Sequence, residues 1–133
     1  MIYFLDTDTC IYFLNGAYPK LAEHFRAVSP SNIKIPAVVK AELLFGLEKS
    51  KHKKTNREKY ECFLNTFATV AFADAAAEIY ASLRNRLEKA GKLIGPNDLL
   101  IASIVLADGG TLVTHNKREF KRVPDLLIDD WTV

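Results

Sequence analysis

Four acidic residues in this chain occupy places where a carboxylate can do chemistry. Asp6 follows the apolar run Ile2-Tyr3-Phe4-Leu5, with Asp8 two residues on. Glu42 lies inside the apolar stretch Ala37 to Leu47. Asp98 ends Gly95-Pro96-Asn97-Asp98, just before a long apolar run. Glu119 closes a polar segment, Thr114-His115-Asn116-Lys117-Arg118-Glu119, that follows Thr111-Leu112-Val113. Carboxylates gathered in one crevice repel one another, and a hard divalent cation with a taste for oxygen ligands relieves this. Mg²⁺ or Mn²⁺ so held activates water for in-line attack on a phosphodiester.

Taken singly, each acid has a plainer account. A polar residue at a strand end often only caps the next helix, which suits Asp6. Asp98 falls in a first helical turn, where the helix dipole favours a negative charge by roughly 0.3–1 kcal/mol. Glu119 fits a solvated loop. Glu42 is harder to dismiss. Positions 38, 42 and 45 share a stripe at helical spacing, so Glu42 projects near an apolar face. Breaking a buried ion pair costs of the order of ~3–5 kcal/mol, so this carboxylate calls for a partner, either an Arg or Lys or a cation in the crevice.

These residues must be positioned by the elements between them. Ile2–Leu5 predicts a strand and Thr9–Leu14 a short helix ending near Asn15-Gly16. Pro19–Val28 has helical spacing, and Pro30-Ser31-Asn32 breaks it. Ile33–Ile35 predicts a second strand and Ala37–Lys49 a strong helix. Thr55 or Asn56 is the expected cap of a helix running to about Phe67. Thr69–Phe72 is β-like. Asp74 is the expected cap of a long Ala-rich helix reaching Ala90, with Gly91 as its stop. Pro96 opens a helix to about Ala107, Thr111–Thr114 is a strand, and Leu126–Ile128 is the last short strand. Strands separated by helices imply an α/β fold: one domain over residues 1–133, with a mainly parallel central sheet of four or five strands flanked by helices on both faces. In such sheets ligands bind at the carboxyl ends of the strands, where Asp6 and Thr114 fall.

The chain has 133 residues, 49% of them hydrophobic, enough for one core without structural metal or disulfides. The net charge is only +2, but basic residues cluster: Lys49, Lys51, Lys53, Lys54, Arg57 and Lys59 in one run, Lys117, Arg118, Lys121 and Arg122 in another. Such runs suit either a polyanion or a solvated helix face. Cys10 and Cys62 have neither metal-ligand nor redox-motif spacing, and Cys10 reads as core filler. With no signal peptide and no apolar span of membrane length, the expectation is a cytoplasmic protein without a membrane partner.

The ordered set Ile-Tyr-Phe-Leu-Asp6-Thr7-Asp8-Thr9-Cys10, Ala41-Glu42-Leu43 with Gly46, Gly95-Pro96-Asn97-Asp98, Leu112-Val113-Thr114-His115-Asn116-Lys117-Arg118-Glu119-Phe120 and Asp130-Trp131 resembles the PIN domain, and within it the VapC toxins, over essentially the whole chain. The resemblance implies a Mg²⁺-dependent endoribonuclease, with Mn²⁺ as a substitute, forming the toxin of a type II toxin–antitoxin pair. It implies a cognate VapB-type antitoxin whose inserted segment inhibits the site, a homodimer, and a toxin–antitoxin hetero-oligomer. Asp6 and Asp98 match the family's metal-binding carboxylates and Glu42 its acid on the third helix. Glu119 stands at the fourth acidic place, where Asp is common. Thr114 and Asn116 match the polar residues that support that place. Asp8 departs from the pattern, since the residue two after the first Asp is usually Asn. In the implied mechanism Glu42 completes the site or orients the attacking water, and Glu119 positions a second ion or that water. Some enteric-type relatives act on initiator tRNA, which makes tRNA a candidate substrate.

Other readings compete. Leu5-Asp6-Thr7-Asp8 imitates the start of a haloacid-dehalogenase-like phosphatase, with Leu127-Ile128-Asp129-Asp130 as a later motif. Too few residues separate Thr114 from Asp129 for that fold's lysine-bearing helix. A PIN-like module that binds RNA without cutting is the non-enzymatic alternative, and DNA is the alternative substrate.

Overall fold

A computed structural model describes the whole chain, Met1–Val133. The strands are β1 (Tyr3–Leu5), β2 (Ile33–Pro36), β3 (Ala68–Val70), β4 (Thr111–Val113) and β5 (Leu127–Asp129). The helices are α1 (Thr7–Leu14), α2 (Pro19–Ala27), α3 (Ala37–Glu48), α4 (Lys53–Thr66), α5 (Asp74–Lys89), α6 (Pro96–Asp108) and the single turn α7 (Lys117–Phe120). The expected mainly parallel sheet is parallel throughout, in the order β3-β2-β1-β4-β5.

That order reverses between β1 and β4. The chain moves outward one way from β1 through β2 to β3, then returns and moves the other way from β4 to β5. Right-handed crossovers therefore place α1–α4 on one face and α5 and α6 on the other. The crevice of such a sheet opens at the carboxyl ends of the two strands flanking the reversal. Asp6 follows β1 and Thr114 follows β4.

The strands are short but nearly fully buried where they matter: Phe4, Leu5, Ile33, Ile35, Leu112 and Val113 lose essentially all exposure. They join Leu21, Leu43, Ile101, Ile104, Phe120 and Trp131 in a single apolar core. Cys10 lies in that core, as expected, while Cys62 is exposed, and both are free thiols. Trp131 ties down the C-terminus, packing edge-on to Tyr3 at 5.1 Å and donating its indole N–H to Asp129 Oδ2 at 3.2 Å. No helix is long and apolar enough to cross a membrane.

Three local expectations need correction. The helix after the basic run begins at Lys53, so neither Thr55 nor Asn56 caps it; the Asn56 amide instead donates to Ser50 Oγ at 2.7 Å and fastens the preceding turn. Asp74 is the first residue of α5 rather than its cap, which is Ala73 with no side-chain hydrogen bond. There Asp74 acts through the helix dipole alone. In α3 the buried stripe is Val39, Leu43 and Leu47. Val38, Glu42 and Phe45 lie on the adjacent stripe, which faces a groove, and Phe45 is 62% exposed.

A candidate acidic active site at the strand reversal

Asp6 is both a helix cap and a member of a larger constellation. Its Oδ1 accepts the N–H of Thr9 at 2.9 Å, which satisfies one of the free donors at the start of α1. Its Oδ2 accepts the hydroxyl of Thr114, from the end of β4. Thr114 Oγ1 in turn accepts the N–H of Asn116 at 2.9 Å, and Thr9 Oγ1 donates to Val113 O at 3.2 Å. The capping role and the crevice role thus coincide. Burial pushes the Asp6 carboxyl up from its ordinary value, opposed by the bonds from Thr114 and Thr9.

Glu42 reaches the same crevice from the middle of α3. Thr7 donates its hydroxyl to Oε1 at 2.5 Å, and the Asn97 amide donates to Oε2 at 3.3 Å. Glu119, from α7, accepts the backbone N–H of Gly95 on Oε1 at 2.5 Å and the Asn116 amide on Oε2 at 3.0 Å. These donors hold its carboxyl below the ordinary range, led by the Gly95 bond. A Cβ at Gly95 would meet Glu119 Oε1 at 3.4 Å and Asp98 Oδ2 at 3.6 Å, ordinary contacts that place this residue against both acids.

Asp98, in the first turn of α6, completes the group. It differs from the other three in having no neutral donor of its own; its side-chain hydrogen bond is with Glu119. Burial, then the charges of Glu119, Asp6 and Glu42, push it up to about 7. The same crowding favours a proton held between Asp98 and Glu119. Asp8, by contrast, is exposed in the first turn of α1 and only adds negative potential near Asp6.

None of Asp6, Glu42, Asp98 or Glu119 lies within ion-pair distance of a Lys, Arg or His. Asp6, Glu42 and Glu119 are held by neutral hydroxyls and amides, which fix their orientation without cancelling their charge. Crowded acids with no counter-charge are a donor set of oxygens for a hard cation. No three acid, imidazole or thiol side chains close on one point tightly enough to form a cage by themselves. A hard cation held by one or two of these carboxylates would take its remaining ligands from water and phosphate oxygens.

The basic runs have mixed fates. Lys53 and Arg57 pair with Glu48, and Arg57 also with Glu61, so that part of the first run is a solvated face. In the second run Lys117 pairs with Asp130 at 3.4 Å. Arg118 and Arg122 line a recess with Asn116 and Glu119, beside the acids. On the other flank a groove along α3 is lined by Thr7, Val38, Glu42, Phe45, Lys49 and Asn97 among others.

The structure brings Asp6, Glu42, Asp98, Glu119, Thr114 and Asn116 together and leaves Asp8 at the margin. Thr7, Thr9, Gly95 and Asn97 were not singled out from the sequence. Thr7 and Asn97 carried one signal, since each is a hydroxyl or amide next to an acid of the set. Asp129 and Asp130 do not reach Asp6. Asp129 accepts from the Asp130 N–H and the Trp131 indole, while Asp130 is engaged by Thr132, His115 and Lys117. The phosphatase reading is left without its later acidic motif.

Comparison with known proteins gives the chain a family. The family model described as the PIN domain matches residues 3–126. The chain is 41% identical over 132 residues to Ribonuclease VapC2 of Rickettsia felis, covering 98% of each chain. It is 32% identical over 129 residues to the tRNA(fMet)-specific endonuclease VapC of Salmonella typhimurium, covering 97% of each. Among solved structures it is similar to a chain of VapBC2 from Rickettsia felis bound to a DNA fragment from their promoter. The TM-score is 0.92 at 40% identity, covering 98% of this chain and 99% of that one.

Proposed function

This chain belongs to the PIN-domain family, and from that premise we propose that it is a divalent-metal-dependent endoribonuclease, the toxin of a type II toxin–antitoxin pair. One observation carries the chemistry: Asp6, Glu42, Asp98 and Glu119 converge at the reversal of the sheet, and none of them is in ion-pair contact with a basic side chain. The relatives bearing ribonuclease and endonuclease names, each matched along nearly its full length, support the substrate class.

Asp6 and Asp98 would hold Mg²⁺, with Mn²⁺ as a substitute. When bound, the ion lowers the pKa of a water and stabilises charge on the phosphate. Asp98, crowded by the charges of Glu119, Asp6 and Glu42, would offer its carboxylate to such an ion in its deprotonated form. Glu42, held rigid by Thr7 and Asn97, orients the attacking water and accepts its proton. Glu119 is fixed by Gly95 and Asn116 and would position this water or help to hold a second cation. Thr114 fixes Asp6. Hydrolysis leaves a 5′-phosphate and a 3′-hydroxyl. Arg118 and Arg122 attract the RNA backbone.

The proposed partners are RNA, with tRNA as a candidate, a VapB-type antitoxin that occupies the site, and a second copy of the chain. Complexes with antitoxin would then be hetero-oligomers, and the free thiols suit a reducing cytoplasm.

The test is digestion of tRNA, rRNA and single-stranded DNA by the purified chain with Mg²⁺ and with EDTA. RNA is expected to be cut only with the metal, and Asp6→Asn or Asp98→Asn to lower the rate by at least ~10²-fold, as expected where charge stabilisation is lost. Undiminished cutting by both variants overturns the proposal. RNA binding without cutting by the wild-type chain favours the non-catalytic module.

A further inference from the structure

The acids account for the breaking of a bond but not for where the strand lies. The groove along α3 runs on from them without a break, since Thr7, Glu42 and Asn97 line both. Its lining also includes Phe45, Gly46 and Lys49. Phe45 is a large aromatic residue left 62% exposed in the middle of a well-formed helix. Gly46, next to it, sits in a helix interior, where glycine is a poor helix former. A Cβ there would touch nothing within 4 Å, so no packing contact requires glycine. Lys49 carries its ammonium 4.8 Å from the centre of the Phe45 ring and pairs with no carboxylate. Its neighbour Glu48 is taken by Lys53 and Arg57.

Exposed aromatic, bare backbone and unpaired cation are the three parts needed to seat one nucleotide. A nucleobase stacks on an aromatic face, a groove without a side chain admits the sugar, and an ammonium meets the phosphate. The spacing is suitable. Glu42 and Phe45 are three residues apart on one helix face, and Lys49 lies two turns beyond Glu42, ~10 Å along the axis.

We propose that the Phe45 ring is a stacking platform for a nucleobase of the single-stranded RNA next to the scissile phosphate, with Lys49 on the adjoining phosphate and Gly46 leaving room between them. This rests on the ribonuclease reading and deepens it. Stacking on a phenyl ring tolerates every base, so the platform sets the strand's position rather than its sequence. Phe45 binds substrate and takes no part in proton transfer.

The experiment compares wild type, Phe45→Ala, Phe45→Trp and Lys49→Gln on a fluorescein-labelled single-stranded RNA twelve-mer with Mg²⁺. For Phe45→Ala, KM is expected to rise roughly 5- to 30-fold with kcat within about twofold. Phe45→Trp should restore the wild-type KM or lower it. Lys49→Gln should flatten the dependence of KM on salt by about one phosphate contact. Since Phe45 is exposed, circular dichroism and the melting temperature should stay as in wild type for all variants. If wild type cuts the RNA and Phe45→Ala cuts it with the same KM, the platform is refuted while the nuclease reading stands. If that unchanged KM comes with dimer loss in sedimentation, the face belongs to a second copy and the proposal falls. If wild type neither binds nor cuts the RNA, both readings fall together.

Discussion

Thr114 donates its hydroxyl to Oδ2 of Asp6, joining residues 108 positions apart and bridging the ends of β4 and β1. The bond crosses the point where strand order reverses, so it spans the mouth of the crevice. Removing the donor leaves a buried carboxylate oxygen short of a partner. Thr114→Val, similar in shape but without the hydroxyl, should cost ~1–3 kcal/mol of stability. It should also lower kcat by about tenfold or more as Asp6 loses its orientation. Thr114→Ser should recover most of both. Denaturant unfolding alongside steady-state cleavage would check this, and a Thr114→Val enzyme with wild-type kcat would deny the hydroxyl an orienting role.

The crowding at Asp98 has a pH signature. Its folded-state pKa, about 7, lies above the ordinary 3.8. The folded form therefore binds more protons than the unfolded one between these values, so the metal-free protein loses stability as pH rises from about 4 through 7. Asp98→Asn should abolish that fall and stabilise the metal-free protein at pH 8 by ~1–2 kcal/mol, after allowance for solvent screening. At pH 4 the substitution should have almost no effect. Thermal melts in EDTA across pH would show it.

Metal and proton compete for the same oxygens. Saturating Mg²⁺ should raise the melting temperature of wild type at pH 8, by the equivalent of ~2.7 kcal/mol at a hundredfold excess over Kd. That gain should shrink at pH 5.5, where Asp98 is protonated, because a ligand must lose its proton to bind. Asp98→Asn should lose most of the gain at both pH values. Calorimetry in buffers of different ionisation enthalpy should record proton release near pH 7. A metal-induced shift that is equal at both pH values would rule out the linkage.

Thr7 and Asn97 hold opposite oxygens of one carboxylate, Glu42. Thr7→Val and Asn97→Ala should each lower kcat, by about 10-fold. The double variant should lose less than the product of the two, because both act through the same group. A fully multiplicative double mutant would mean that they act on separate steps.

Gly110 allows β4 to begin close against β1. A Cβ there would lie 2.8 Å from Phe4 Cε2 and 2.9 Å from the Ile2 carbonyl oxygen. Gly110→Ala should therefore destabilise the fold by ~1–3 kcal/mol, the range for overpacking a core. The carbonyl belongs to backbone and cannot rotate away, which argues for the upper part of that range. Equilibrium unfolding is the measurement, and a neutral result would show that the strand ends shift freely.

Much was legible in the chain before it was folded. Apolar runs of three to five residues pointed to short strands, and Pro96 and the acids at strand ends marked where helices start. Asp6, Glu42 and Asp98 could be picked out because each interrupts or borders an apolar segment, where a charge is costly without a reason, and Glu119 because it stands in the polar loop that follows a strand. The α3 face was misjudged because Val38, Glu42 and Phe45 are as well spaced as Val39, Leu43 and Leu47. Periodicity gives a stripe but not which of two adjacent stripes meets the sheet. Only tertiary structure decided that, since burial depends on what α3 packs against. It also decided that Thr7, Gly95 and Asn97 supply the donors for Glu42 and Glu119. Hydrogen bonds between segments 24 to 55 residues apart leave no local pattern, being set by the angle at which helices cross the strand ends.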